Sequence, residues 1–147
     1  MKSEAGITIR PFVYPDDYRA VHALWSTAGP GVHLGPSDAP EEIAKKVYRE
    51  ADLFLVAESR GQIVGTVMGG FDGRRGLIYH LVVSQEMRRS GIGSALMGML
   101  EERLQEKGCL RAYLLVTKDN PDALHFYETI GWETMDIFIF GKDLNIQ

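Results

Sequence analysis

Residues 86–104, EMRRSGIGSALMGMLEERL, crowd Arg88, Arg89, Ser90, Gly91 and Gly93 into the entrance of an amphipathic run. Ile92, Ala95, Leu96, Met99 and Leu104 recur at helical spacing, charges gather toward the far end in EERLQEK, and Gly108 stops the run. A helix therefore starts near Gly91 to Gly93. Its first N–H groups lack intrahelical acceptors, the helix dipole is positive there, and glycines let an anion approach the backbone. Arg88, Arg89 and Ser94 add donors, so a diphosphate fits this corner.

The rest of the chain supplies a sheet for that helix. ITIRPF reads as a first strand. Pro15, Asp16 and Asp17 open a helix with Tyr18, Val21, Leu24 and Trp25 on its apolar face. TAGPGVHLGPSDAP is a loop by its glycine and proline content, and SDAPEEIAKKVYREA restarts a helix with Asp38 and Glu41 in capping-box spacing. DLFLVAES, IVGTVMGGFDG and GLIYHLVV follow as a strand meander with turns at RGQ and Asp72-Gly73. After the glycine-entry helix come a strand LRAYLLV, a helix NPDALHFYETIG and terminal strands in WETMDIFIFGKDL. This order predicts an α+β fold on one mixed sheet, and 147 residues suit a single domain over 1–147.

Composition excludes several classes. A net charge of −4 argues against broad nucleic-acid binding, which needs a basic face. Arg74 and Arg75 in DGRRG read as solvated turn residues. No apolar run approaches the roughly 20 residues of a membrane span, and MKSEAGITIR lacks a signal-peptide core, so no membrane role and a cytoplasmic location are expected. Cys109 stands alone, which excludes an internal disulfide and a cysteine-based metal cluster; no metal is expected.

Three nucleotide motifs compete for the glycine corner. The Walker type needs Gly-Lys-Ser/Thr after its spacers, and no such string occurs. The dinucleotide fingerprint needs glycine or alanine where Leu96 stands. Arg-x-x-Gly-x-Gly remains, spelled Arg88, Arg89, Ser90, Gly91, Ile92, Gly93 directly after a strand. A second element lies downstream in NPDALHFYETIGW. Asn120 can cap, Pro121 suits the first helical position, and Gly131 suits the stop. Asn120 and Tyr127 share a face about 10 Å apart with Ala123 between them.

Together the two elements resemble the cofactor motifs of the GNAT superfamily of acetyl-CoA-dependent N-acetyltransferases. The resemblance runs over nearly the whole chain, and VAESRGQIVGTVMGGFDG looks like the YpeA-like bacterial subgroup. It implies a mostly antiparallel mixed sheet of about six or seven strands with about four helices. It also implies a sheet splayed between the strand ending near Val83 and the strand ending near Val116. The pantetheine arm of acetyl-CoA would pair with the backbone of Leu81, Val82 and Val83, and the pyrophosphate would sit on Arg88 through Ser94. Asn120 and Ala123 would flank the pantetheine, Phe126 would pack near the cofactor, and Tyr127 would stand beside the thioester sulfur.

The implied chemistry is direct attack of a neutral amine on the acetyl carbonyl, with a backbone N–H near Val83 aiding the oxyanion. Tyr127 would donate to the departing thiolate. Leu115 stands where some protein N-terminal acetyltransferases carry a glutamate, and neither Leu77 nor Tyr79 is a carboxylate, so no side-chain base is identified. Strand alternation puts His80 on the opposite face from Tyr79, in core packing. Tyr79 faces the acceptor side and would position a water. His33 and Trp25 border the long loop and read as exposed.

Two function classes stay open: an acetyltransferase acting on an amine of a small molecule, peptide or protein, and an acyl-CoA-binding regulatory or structural module without turnover. The amine acceptor is not named by any motif. DIFIFGKDL is apolar on both alternating faces through Ile137, Phe138, Ile139 and Phe140, which suits a homodimer.

Overall fold

The computed structural model describes residues 6–144. Strand β1 (Ile7–Pro11) precedes helix α1 (Tyr18–Ser26), a loop with two 3-10 turns, and helix α2 (Pro40–Glu50). Strands β2 (Phe54–Ser59), β3 (Gln62–Phe71) and β4 (Gly76–Val83) then form the meander. Helix α3 (Ile92–Glu106), strand β5 (Ala112–Leu114) and helix α4 (Pro121–Thr129) complete the regular elements among the described residues. The sheet runs β1-β2-β3-β4-β5. Its first three pairings are antiparallel and β4–β5 is parallel. The four α-helices and the mixed, mostly antiparallel sheet match expectation.

The strand count does not. Five strands are present among the described residues instead of six or seven, because WETMDIFIFGKDL contributes none. β5 is the last strand of the sheet, and every residue from 133 to 144 is exposed.

Alternation divides the core between the two faces of the sheet. In β2, Leu55 and Ala57 pack toward α3, while Phe54 and Val56 pack toward α1 and α2. All four are fully buried, as expected of a central strand covered on both sides. The α3 face gathers Val67, Ile78, Ile92, Leu96, Met97 and Leu100. The opposite face gathers Val21, Trp25, Ile43, Met68 and Val82, with Phe12 stacked on Phe54 at 4.2 Å. Trp25 is 1% exposed, so it is core rather than a loop residue. Close approach of α3 depends on β3 glycines: a Cβ on Gly65 would meet Ile92 at 3.0 Å, and one on Gly69 would meet Leu100 at 2.9 Å.

Two irregularities in β4 create the site. Thr66 pairs with Val82 but Met68 pairs with Tyr79, so His80 and Leu81 together oppose Val67 in a bulge, and His80 takes a φ of +58°. Pairing to β5 ends at Ile78↔Leu114, although β4 continues to Val83. From Tyr79 onward the β5-facing edge of β4 is unpaired, and the sheet is splayed there.

Candidate functional site

The glycine corner forms as expected. Gly91 caps α3 with a φ of +85°, and Arg89 also lies in the left-handed region at +64°. The first bond into the helix is Ala95 N–H to Gly91 C=O at 3.0 Å. The N–H groups of Ile92, Gly93 and Ser94 therefore have no acceptor among the described residues. Arg88, Arg89, Ser90, Gly91 and Ser94 are exposed around them. Arg88 Nε donates to Val83 C=O at 3.4 Å, and the Ser90 hydroxyl donates to Met87 C=O. Ile92 offers only its backbone, since its side chain is 3% exposed in the α3 core. This set fits a diphosphate, with free donors, a positive helix end and two guanidinium groups.

α4 lies beside the corner. Asn120 Oδ1 accepts from Ala123 N–H at 3.3 Å, Pro121 follows at the first helical position, and Gly131 leaves the helix at a φ of +101°. Phe126 reaches the corner itself, because a Cβ on Gly93 would lie 3.2 Å from its Cζ. Tyr127 is part-buried against the α3 core, and burial pushes its phenol up to about 12. Its hydroxyl has no hydrogen-bond partner among the described residues, so it is a protonated donor with free capacity. The long loop approaches this end of the splay, where Thr117 Oγ1 donates to Pro30 C=O at 3.2 Å.

The other face of the splay holds a cavity of about 360 Å³ lined by Ser37, Asp38, Lys46, Met68, Tyr79 and His80 among others. Tyr79 belongs to the α1/α2 face. Burial raises its pKa, with further push from Glu50 and Asp38, so it too stays protonated. His80 departs from the alternation reading. The bulge turns it to the same side as Tyr79, with ring centroids 5.4 Å apart, and its ring meets Trp25 edge-on at 5.1 Å.

His80 Nε2 lies 2.8 Å from Oδ1 of Asp38, which is 6% exposed. Asp38 is itself held: its Oδ2 accepts from Gly35 N–H at 2.9 Å, and its C=O accepts from the Tyr18 hydroxyl at 2.7 Å. It does not cap α2, whose N-cap is Ala39. In a neutral imidazole, a carboxylate on Nε2 makes that nitrogen the protonated one and leaves Nδ1 as the acceptor. Sequence spacing gave no signal for this pair, which joins a loop to a bulge. Lys46, ion-paired to Glu50 at 2.7 Å, borders the same cavity, and its pKa is lowered by burial.

Leu81, Val82 and Val83 lie on the stretch of β4 whose β5-facing edge is unpaired, with Val82 buried toward α1 and α2 and Leu81 and Val83 packed toward α3. Leu77 and Leu115 are part-exposed hydrophobic residues with no acid–base capacity, and His33 is exposed. Arg75 is half-buried against the Tyr113 ring at 5.5 Å, so it is more than a solvated turn residue. Among the described residues no three His, Cys, Asp or Glu side chains converge to hold a metal, and no helix is long and apolar enough to cross a membrane.

Residues 18–132 match the model of the acetyltransferase (GNAT) family. The chain is 43% identical over 130 residues to Acetyltransferase ECA0875 of Pectobacterium atrosepticum, covering 88% of this chain and 90% of that protein. Among solved structures it resembles Ard1 from Thermoplasma volcanium at 26% identity, with a TM-score of 0.69 over 85% of this chain and 81% of that one. At the level of fold alone it resembles AAC(6')-Iy in complex with the bisubstrate analog CoA-S-monomethyl-acetylneamine, at 18% identity and a TM-score of 0.73 over 93% and 97% of the two chains.

Proposed function

Because the chain belongs to the acetyltransferase (GNAT) family, we propose that its splayed sheet joins an acetyl-CoA site on the α3 side to an amine site on the α1/α2 side, and that it transfers acetyl between them directly. The carrying observation is the end of β4–β5 pairing at Ile78↔Leu114, beside a helix entrance with three free N–H groups. The acetyl donor supplies the activated acyl group, and the residues of this chain bind, orient and move protons. The N–H groups of Ile92, Gly93 and Ser94, with Arg88, Arg89 and Ser90, hold the diphosphate. The open edge at Leu81, Val82 and Val83 pairs with the pantetheine amides, flanked by Asn120 and Ala123, and Phe126 packs against this arm.

Tyr127 donates its hydroxyl to the leaving sulfur. Its pKa of about 12 lies far above the roughly 8.5 of a thiol, so complete transfer costs on the order of 5 kcal/mol. A hydrogen bond that strengthens as charge builds on sulfur is its contribution. On the other face, His80 Nδ1 takes the proton of the attacking amine, directly or through one water. Asp38 holds the imidazole in the tautomer that leaves Nδ1 free, and Tyr79, a neutral donor, positions the water or amine.

This reading includes a single domain, a cytoplasmic location, and membership of the YpeA-like subgroup, supported by residues 56–73. The apolar run 137–140 supports a homodimer. The acceptor is an amine of a small molecule, peptide or protein. Release of free CoA is the test, followed with purified protein, acetyl-CoA and a panel of free N-terminal peptides, lysine peptides, polyamines and amino acids. Steady release with at least one amine is expected. Tight acetyl-CoA binding with no turnover across the panel would make the chain a binding module instead.

A further inference from the structure

The cavity between α2 and the splay is charged unevenly along its length. α2 and β3 run side by side away from His80. Asp38, just before α2, meets His80; further along, Lys46 donates to Gly69 C=O, and Arg49 Nη2 donates to Phe71 C=O at 3.4 Å. Glu42, Lys46 and Arg49 fall at i, i+4 and i+7, so they share the helix face that lines the cavity. Glu42 and Arg49 are about 10 Å apart along the helix axis.

The two ends carry opposite charge. At the His80 end stand Asp38 and Glu42, and Lys45, 2.8 Å from Glu42, offsets only one of them, so a negative charge is left over. At the far end Lys46 and Arg49 share Glu50, at 2.7 Å and 3.9 Å, so a positive charge is left over. Glu50 also accepts from Phe71 N–H at 3.2 Å, and Gly70 leaves room for it, since a Cβ there would lie 3.2 Å from Glu50 Oε1. The Arg49 side chain is 65% exposed, and apart from Glu50 and Phe71 its guanidinium has no partner among the described residues. Between the poles in chain order, Ile43 and Met68 give the cavity an apolar waist. Burying an ion pair such as Lys46–Glu50 stabilises a fold little, if at all, over apolar side chains of similar size, so its place beside a cavity points to a ligand.

We propose, resting on the acetyltransferase reading, that the acceptor is a zwitterionic ω-amino acid. Its amine lies at His80 and Asp38, its methylene chain along Ile43 and Met68, and its carboxylate on Arg49 and Lys46. An α-amino group and its own carboxylate sit on one carbon and cannot reach both poles. A diamine puts a second cation against Arg49, and a phosphate dianion brings one charge more than this end can match. The neutral amine attacks the acetyl carbonyl carbon and a C–N bond forms. The amine proton passes to His80 Nδ1, and the electron pair of the broken C–S bond stays on sulfur as the thiolate to which Tyr127 donates. The products are an N-acetyl ω-amino acid and CoA.

The test compares kcat/KM, from CoA release, for 6-aminohexanoate, 6-aminohexanamide, 1,6-diaminohexane, 6-aminohexyl phosphate and an N-terminally blocked peptide with one lysine. 6-Aminohexanoate should lead the amide by about ten- to a hundredfold, the weight of one charged hydrogen bond. Arg49→Glu should put 1,6-diaminohexane ahead of 6-aminohexanoate, and Arg49→Lys should keep the wild-type order. Circular dichroism checks that both variants fold. Calorimetry without acetyl-CoA is the second readout: 6-aminohexanoate should bind the wild type and not Arg49→Glu. The amide, the phosphate or the peptide matching 6-aminohexanoate overturns the proposal, as does an unchanged order in Arg49→Glu. If no amine is acetylated, the acetyltransferase reading fails separately, and calorimetry decides the cavity: binding lost in Arg49→Glu upholds the zwitterion site, and no binding to the wild type overturns it.

Discussion

His80 Nε2 sits 2.8 Å from Asp38 Oδ1 across 42 residues of chain, and that contact holds an imidazole carried by the stretch of β4 that no longer pairs with β5. His80→Gln can still donate to Asp38 but cannot take a proton. Turnover should fall about a hundred- to ten-thousand-fold, the usual weight of a general base, with acetyl-CoA affinity unchanged. Asp38→Asn keeps the side-chain volume and loses the charge that selects the tautomer, so its loss should be smaller. Steady-state rates beside calorimetric acetyl-CoA binding check both. Turnover of His80→Gln within threefold of wild type would leave water as the base.

Tyr127→Phe separates catalysis from packing cleanly. The hydroxyl has no partner within the described residues, so removing it breaks no internal hydrogen bond and the melting temperature should hold. The rate should fall about ten- to a thousand-fold, the range between an ordinary hydrogen bond and one that tightens on developing charge. A fall in melting temperature with full turnover would identify Tyr127 as a packing residue only.

Features encoded locally were legible from the chain, and those encoded across it were not. α4 could be read because its cap, its first-turn proline and its terminal glycine are neighbours in sequence, and Asn120 does accept from Ala123 N–H. The α3 entrance could be read for the same reason. The face of His80 could not, because alternation presumes an unbroken ladder. The bulge lies in the register between two strands, where the pairing skips Val67, and the His80 ring it turns meets a carboxylate in a distant loop. Trp25 was misread because the last turn of α1 lies under the loop rather than in it. The expected terminal strands are absent among the described residues for a different reason: alternation shows that a segment can be a strand, but a ladder also needs a partner edge, and residues 133–144 pair with none.

Gly91→Asp tests the anion corner against a control with the same backbone strain. Gly91 has a φ of +85°, so either Ala or Asp there costs about 1–2 kcal/mol, and no atom lies within 4 Å of an added Cβ to make one side chain worse than the other. A carboxylate at a helix N-terminus favours the helix by about 0.3–1 kcal/mol. Gly91→Asp should therefore be at least as stable as Gly91→Ala and yet bind acetyl-CoA at least tenfold more weakly, because its charge faces the diphosphate. Calorimetry and thermal melts on the pair decide it. Equal affinities in the two variants would remove the diphosphate from this corner.

Asp17 gives the fold an acid-sensitive joint. Its carboxylate takes Arg10 Nη1 at 2.7 Å, Arg10 Nη2 at 3.0 Å and Val13 N–H at 2.8 Å, tying β1 to the turn that starts α1. Burial pushes its pKa up, but the hydrogen bonds from Arg10 and Val13 and the charge of Arg10 outweigh burial and hold it below the ordinary value. A carboxyl group depressed on folding adds stability that is fully present above its unfolded value near 3.9 and is lost as pH falls through the lower folded value. Wild-type melting temperature should accordingly drop as pH falls below about 4. Asp17→Asn should melt several degrees lower at neutral pH, having lost charged hydrogen bonds of about 1.5–3 kcal/mol each, and should lack this part of the acid-induced drop. Melting curves from pH 7 to pH 3 on both proteins supply the check, and parallel curves across that range would mean that Asp17 adds nothing to the pH dependence.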